Sequence, residues 1–487
     1  MRLLFDCHLD ETPFFIELMK YMEAELGVHA AAVTLGGRRL RQLAENGILT
    51  HNVSSYIRDN METIRREMAN PERYEAYRVD DFGLNAAISA ERYRGKLDPS
   101  SHLELLIGSL LFWEEMFGNY DYVVGPGMAF TLHFTAYLSS VKRFNRSKYL
   151  AILTTRNPNG RVVFCGNHFD SWESVRRRYE ELLGKRLTPD QERLAESFIR
   201  NFRQSRSVPE YMRLRYQKPG IRGDQVSEVF RRYWGYHVQG WKDDPYDYYT
   251  QEPSFYIRKY LFRFLKSFLD RRYFRDKQPD PGGYGRFLYF PLHFQPEATT
   301  LLQAPLYVDQ INFLSNLSKV LPFGYRIVVK EHPSSVGYRP PGYYRRIEDI
   351  PNVTLLSPYA DSHALIRKAF AVVVLSGTVG WEALLYRVPV IAFGRSFYND
   401  SELVYRCSHY SEFQGIVDTI RRQTVNRPGD YDEMLKKFVV AIHECTYGGY
   451  FTVPKFDARV MSRENIRNIA LAVVEEIRRR EEARDDA

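Results

Sequence analysis

Cysteine is scarce. Cys7, Cys165, Cys407 and Cys445 are the four in 487 residues, far apart and without a CxxC pair, which argues against a disulfide-built scaffold and a cysteine zinc site. Long apolar runs are also missing. No stretch reaches the roughly 18–20 residues that cross a bilayer as a helix, and the opening MRLLFDCHLDE meets acidic residues before the apolar core of an export signal can form. A cytoplasmic location is the expectation. Zinc-finger spacing, an RNP-like motif and a dominant Lys/Arg tract are absent, so the net charge of +8 directs attention away from nucleic acid and towards a phosphorylated substrate or a membrane surface. No repeat or low-complexity segment stands out, and 44% hydrophobic with 26% charged residues is the composition of a chain that folds.

What the sequence does contain is two stretches of strand–helix alternation. RLLF reads as a buried strand and TPFFIELMKYMEAEL as a helix, with Thr12 at its N-cap and Pro13 at its first position. VHAAAVTLGG, RRLRQLAENG, HLELLIGSLLFWEEMFG, YDYVVGPG and KYLAILTT continue the pattern to about residue 165. Residues 166–284 turn to charged, aromatic, helix-like stretches that end in the boundary-like KQPDPGGYGR. Alternation then restarts with FLYFPLHF, a helix over 305–320, YRIVVKEHP, NVTLLSP, SHALIRKAF, AVVVLSG, WEALLYR and PVIAFG. The expected architecture is an α/β unit over 1–165, a helical insertion over 166–284, a second α/β unit over 285–455 and a C-terminal helix over 456–487 that packs back on the first unit.

Parallel sheets bind ligands where strands end and helices begin. Three such ends in the second unit are polar: FPLHFQPEATT with His293, Gln295 and Glu297; VVKEHPSS with Lys330, Glu331, His332 and Ser334; and LSGTVGWEA with Ser376, Thr378 and Glu382. Glycines at 377 and 380 let a backbone approach closely, and helix N–H groups starting near Thr378 suit a phosphate. Glu382, one turn further, is placed for a ribose diol, and His332 with Lys330 for phosphate charge, the histidine either protonated or as a hydrogen-bond donor. The plainer reading is that Ser376 or Thr378 caps the helix and that Glu382 stabilises its first turn.

The runs LYFPLHFQPEATT, VVKEHP and LSGTVGWEALLYRVPVIAFG resemble the capsule polysaccharide biosynthesis glycosyltransferases, which include Kdo transferases, over about residues 285–400. The resemblance implies the GT-B fold, two Rossmann-like domains facing across a cleft. It implies a nucleotide-sugar donor, a CMP-linked one among them, held in the C-terminal domain by His332, Ser376 and Thr378, with no metal and no cofactor. His293, Lys330, Glu331, Gly377 and Glu382 complete the donor set by their placement in the same loops. Sialyltransferase-like relatives carry an acidic pair before a glycine in the N-terminal domain; here VVFCGNHFDSWE stands in a comparable place and makes Asp170 the candidate carboxylate, against the alternative that it caps a helix starting at 171. Asp10, Glu11 and Glu297 are the further carboxylates. The expected activity is transfer of a sugar to a glycan or lipid-linked acceptor in surface polysaccharide synthesis. The alternatives are a UDP-sugar epimerase of the same fold and a non-catalytic assembly or export protein.

FYIRKYLFRFLKSFLDRRYFR, residues 255–275, sets apolar positions 257, 261, 264, 265 and 268 among basic residues. Such a helix either lies on an anionic membrane, at its inner face, or packs on its own domain.

Overall fold

The computed structural model describes residues 1–78, 83–91, 97–155, 157–167, 170–205, 223–240, 244, 246–247, 251–277, 283–423 and 430–485 (224 and 483–485 by backbone alone). The chain divides into two compact units, one of Met1–His168, Gly223–Tyr256 and Thr446–Ala487, the other of Phe169–Arg222 and Ile257–Cys445.

Unit 1 is built on β1 (Arg2–Asp6), β2 (His29–Thr34), β3 (Thr50–Asn52), β4 (Tyr122–Pro126), β5 (Tyr149–Thr154) and β6 (Arg161–Cys165). The order is β6-β5-β4-β1-β2-β3, with the short strand Tyr447–Gly448 beyond β6. Strands β1 to β5 pair in parallel, whereas β6 and Tyr447–Gly448 run antiparallel at the edge. On one face Phe14, Phe15 and Met19 of helix Thr12–Leu26 share a core with Ile466, Ile469 and Val473 of helix Arg463–Asp485, so the C-terminal helix packs where its apolar stripe led us to expect. Glu11, not Thr12, is the N-cap of the first helix; the Thr12 hydroxyl donates to the Cys7 and Leu9 carbonyls at 2.7 and 2.6 Å and ties the helix to the end of β1 instead.

Unit 2 carries β7 (Arg286–Pro291), β8 (Tyr325–Lys330), β9 (Val353–Leu356), β10 (Ala371–Val374), β11 (Val390–Ala392) and β12 (Val404–Arg406), all parallel, in the order β12-β11-β10-β7-β8-β9. Strands covered on both faces read as continuous apolar runs, and Phe287–Phe290 and Val372–Val374 are such runs, buried throughout. The stretch expected as one helix over 305–320 is a 3-10 turn, Pro305–Tyr307, and a helix, Gln310–Val320, that starts where the Asp309 carboxylate accepts the amides of Ile311 and Asn312.

The helices between 166 and 284 form no body of their own. Glu173–Leu183 and Pro189–Ser205 join unit 2, Gly223–His237 joins unit 1, and Pro253–Tyr273 starts in unit 1 and continues in unit 2. Local composition marks helices but not the element each packs against, and that is why the boundaries differ.

Both sheets reverse their strand order once. In unit 1 the chain steps outward from β1 to β3 and returns beside β1 with β4; in unit 2 it steps from β7 to β9 and returns beside β7 with β10. Crevices at the carboxyl ends of such strand pairs are where open α/β sheets bind ligands.

Candidate functional site

In unit 2 the chain leaves β7 through His293 and β10 through Ser376 and Gly377, and the two exits meet: His293 Nε2 contacts the Ser376 carbonyl. Gln310 clamps the His293 backbone from both sides, its Oε1 accepting the amide at 2.7 Å and its Nε2 donating to the carbonyl at 3.1 Å. His293 Nε2 also lies 3.3 Å from the Ser376 amide, whereas Nδ1 has no hydrogen-bond partner among the described residues in a residue only 9% exposed. Burial pushes the His293 pKa down, so the ring is neutral. A buried ring nitrogen without a partner is a place for a polar ligand group.

Gly377 has φ 97° and ψ 169°, a region essentially closed to other residues. It is the N-cap of helix Thr378–Leu385, and among the described residues no side chain caps that helix, neither Ser376 nor Thr378. The first-turn N–H groups are therefore left for solvent or an anion. The Ser376 hydroxyl donates instead to the Thr299 carbonyl at 2.7 Å, which ties this loop to the one after β7. Gly380 has a different purpose from the one expected of it. A Cβ there would fall 2.5 Å from the Tyr398 hydroxyl, which donates to the Gly377 carbonyl at 2.6 Å, so the glycine admits the tyrosine that holds the loop.

At the end of β8, Lys330 is buried and its pKa is pushed down to about 8 by desolvation, against the charges of Glu382, Glu331 and Asp361. Glu331 is fully buried and is already engaged: its oxygens accept Arg339 Nε at 2.9 Å and Nη2 at 3.0 Å, and one also takes the His332 amide at 2.6 Å. Arg339 reaches on to the His293 carbonyl at 2.7 Å and Gln295 Oε1 at 3.1 Å. Glu331 and Arg339 together thus position the His293 loop. Nothing in VGYRPPG marked Arg339 in advance, because its role rests on contacts with chain eight and more residues away. His332 Nδ1 accepts the Ser334 amide at 3.2 Å, and burial holds its pKa down to about 4. Of the two forms expected, the neutral donor with a proton on Nε2 is the one present near pH 7. The Glu297 charge opposes the downward shift of both His293 and His332.

Asp170 follows β6 but belongs to unit 2, not to the N-terminal unit. Trp172 stacks on Phe397 with centroids 3.8 Å apart and Ser171 donates to Asp400 at 2.7 Å, which draws the segment there. Asp170 has φ 55°, and its carboxylate accepts Trp172 Nε1 at 3.0 Å. The helix that follows, Glu173–Leu183, has Trp172 at its N-cap, so Asp170 is not its cap.

Unit 1 has its own constellation, which sequence reasoning missed. At the β1/β4 crevice the buried Asp6 carboxylate lies against His8 Nδ1 and, at 3.2 Å, His133 Nε2. Burial would raise the Asp6 pKa, but the two imidazoles hold it well below the usual carboxylate range. These three residues offer ligand atoms within 4.8 Å of one another, the spacing of a metal site. His133 Nδ1 accepts the Ala129 amide at 3.2 Å, and its Nε2 lies 3.2 Å from Asp6 Oδ2 without a hydrogen bond between them. His8 Nδ1 gives its proton to the ionised Asp6. Only His133, inside the apolar TLHFTAYL, and the DCH run offered any signal, and the pairing is too distant in sequence to read. Asp10, just beyond, pairs with the buried Arg39. Burial would raise its pKa, but Arg39, Arg38, Lys455 and Arg232 lower it below the ordinary value.

Residues 251–414 match the family described as Capsule polysaccharide biosynthesis protein. This bears out the resemblance for a segment that holds β7 to β12 and every unit 2 candidate except Asp170. Protein FixF of Sinorhizobium fredii is 34% identical over 127 residues, which are 25% of this chain and 29% of that protein; the chain thus spans under a third of its curated relative. Among solved structures, the beta Kdo 2,4 transferase of Thermosulfurimonas dismutans KpsC is 16% identical, with 68% of this chain and 82% of that one covered and a TM-score of 0.37. The beta Kdo 2,7 transferase of the same KpsC gives 13%, 75%, 88% and 0.35, and the UDP-GlcNAc 2-epimerase of Neisseria meningitidis 13%, 91%, 96% and 0.25.

Proposed function

We propose that the protein is a glycosyltransferase of bacterial surface polysaccharide synthesis, moving a sugar from a nucleotide-sugar donor, a CMP-linked one first in line, to a glycan or lipid-linked acceptor at the cytoplasmic face of the membrane. The observation that carries this reading is the crevice of His293, Ser376 and Gly377, lying inside the segment that matches the capsule family. As the glycosidic bond breaks, negative charge grows on the leaving phosphate. The free N–H groups at the start of Thr378–Leu385, Nε2–H of His332 and the ammonium of Lys330 are the groups that would meet it. His293 Nδ1 meets a polar group of the donor, and Glu382 takes the ribose diol. The reaction also needs a carboxylate to deprotonate the acceptor or to attack the anomeric carbon. Glu297 is first among the candidates because it lies in the loop that leaves β7 with His293 and is tied to Ser376 through the Thr299 carbonyl, ahead of Asp170, held by Trp172, and Asp10, paired with Arg39. The reading uses no metal.

Calorimetry and thermal shift with CMP, UDP, GDP and their sugars test it. Saturable binding of one nucleotide is expected, weakened about tenfold by His332→Ala, the loss of one hydrogen bond to a charged group, with the fold intact and no more than the small stability loss of freeing the Ser334 amide. Turnover of UDP-N-acetylglucosamine with no acceptor present would replace the transferase by an epimerase. Failure to bind any of the nucleotides would leave a non-catalytic assembly protein.

A further inference from the structure

Helix Pro253–Tyr273 is inverted relative to the usual surface helix. Ile257, Leu261, Phe262, Leu265, Phe268 and Leu269 are between 49 and 69% exposed. Positions 257, 261, 265, 268 and 269 follow helical spacing and make one stripe. The side turned inward is largely polar: Ser267 and Asp270 are buried, Asp270 accepts the Gly337 amide at 2.7 Å and pairs with Lys266 at 2.7 Å, and only at the last residue does Tyr273 pack on the unit 2 core. Gly337 has φ 85°, and a Cβ on it would fall 2.6 Å from the Arg263 carbonyl, so the helix backbone rests directly on that turn. A helix fixed in the fold by its polar side, with its apolar side left in water, has a surface shaped for a partner.

The charge says which partner. PSFYIRKYLFRFLKSFLDRRY holds six basic residues and one acid, the buried Asp270. Arg258 and Arg272 are exposed beside the stripe. Two copies of this helix face to face would bring like charges together, whereas a surface of anionic headgroups over acyl chains matches both the bases and the stripe. Unit 1 carries an exposed apolar stretch separately: on Gly223–His237 and just beyond it, Val226, Phe230, Tyr233, Trp234 and Val238 are more than half exposed, although Arg231 and Arg232 there pair with Glu228. Trp and Tyr are the residues that settle at headgroup level. No helix among the described residues is long and apolar enough to cross a membrane, so the contact is one of lying on the surface.

We infer that the exposed stripe of Pro253–Tyr273 docks the protein on an anionic lipid bilayer. This goes beyond the proposed reaction and does not depend on it. The full chain is sedimented with vesicles of phosphatidylcholine alone and of phosphatidylcholine with phosphatidylglycerol. Binding to the anionic vesicles is expected, weakening as salt is raised from ~0.05 to ~0.5 M. The triple variant Leu265→Asp, Phe268→Asp, Leu269→Asp should lower it at least about tenfold, while melting temperature and nucleotide affinity stay as in the wild type. Should that variant fail to fold, Phe262→Ser with Leu269→Ser makes the same test. Absence of vesicle binding, equal binding to both vesicle types, or undiminished binding by the variants overturns the inference. So does a wild-type dimer that the variants convert to monomer without any vesicle binding, since a second copy would then be the occupant.

Discussion

Each unit sets a histidine two residues past its first strand, at the crevice where strand order reverses: His8 after β1 and His293 after β7. The surroundings differ in kind. His8 faces a buried carboxylate that it shares with His133, and the nearby helix Thr131–Phe144 has its start occupied by the protein's own acid, Glu91, which accepts the Thr131 amide and hydroxyl at 3.2 Å each. His293 faces a main-chain carbonyl, its ionic pair Glu331–Arg339 stands one step back, and the neighbouring helix starts without a cap behind a left-handed glycine. Neither Gly125 nor Gly127 of unit 1 adopts such a conformation. One topology thus serves two chemistries. Unit 1 sets a buried carboxylate between its histidines and fills its helix start internally, whereas unit 2 keeps its histidines neutral and its helix start available to an anion.

Removing the acid from each crevice separates the two most sharply. Asp6→Ala and Glu331→Ala each strip a buried cationic or imidazole partner of its counter-charge, and each should destabilise its unit by about 3–5 kcal/mol in chemical denaturation. Only Glu331→Ala should also weaken nucleotide binding, because Arg339 then releases the His293 loop; equal losses of affinity in both variants would refute the division of roles.

Acid should act on the units at different pH. An unfolded histidine takes up its proton near pH 6.5, but burial keeps His332 neutral down to about pH 4. The group's folded pKa is depressed, so its contribution is complete above pH 6.5 and is lost as pH falls from there to 4, by up to about 3 kcal/mol. His293, shifted in the same direction by burial, adds to it. The Asp6 cluster is anchored by a lowered carboxyl pKa, and the stabilisation this gives is lost only below the ordinary carboxylate range, near pH 4. Denaturation at pH 7 and pH 5 should therefore show unit 2 weakened first, and His332→Gln should flatten most of that difference. A unit 1 transition that weakens first would contradict it.

The smallest effect expected is that of Gly377→Ala, which forces a side chain into a region closed to it at about 1–3 kcal/mol and displaces the amides that await the anion. A loss of nucleotide affinity alongside that loss of stability is the expected result; unchanged affinity would show that the loop holds no phosphate.

The strands of unit 2 were legible because parallel strands buried on both faces leave unbroken apolar runs, and the polar residues at their ends were legible because each run stops abruptly, as at Lys330 and Ser376. The edge strands Thr50–Asn52, Val404–Arg406 and Tyr447–Gly448 are too short to leave such a pattern. Contacts across the fold left none either. His133 reads as a core residue of an apolar helix, Arg339 as one more basic residue in a loop, and Asp170 as a cap until Trp172 is seen to turn towards Phe397. The spacing of Pro253–Tyr273 is the same whether its apolar stripe faces inward or outward, and its direction was settled only by Asp270 and Gly337.

The path of the chain has a consequence for its synthesis. Unit 1 draws on three separate segments, and the apolar side of helix Thr12–Leu26 is covered by helix Arg463–Asp485. At ribosomal speeds of about 5–20 residues per second, the first helix waits tens of seconds for its cover, through the translation of all of unit 2. The unit that is begun first is completed last, and Phe14, Phe15 and Met19 are the surface a chaperone would meet on the nascent chain in the interval.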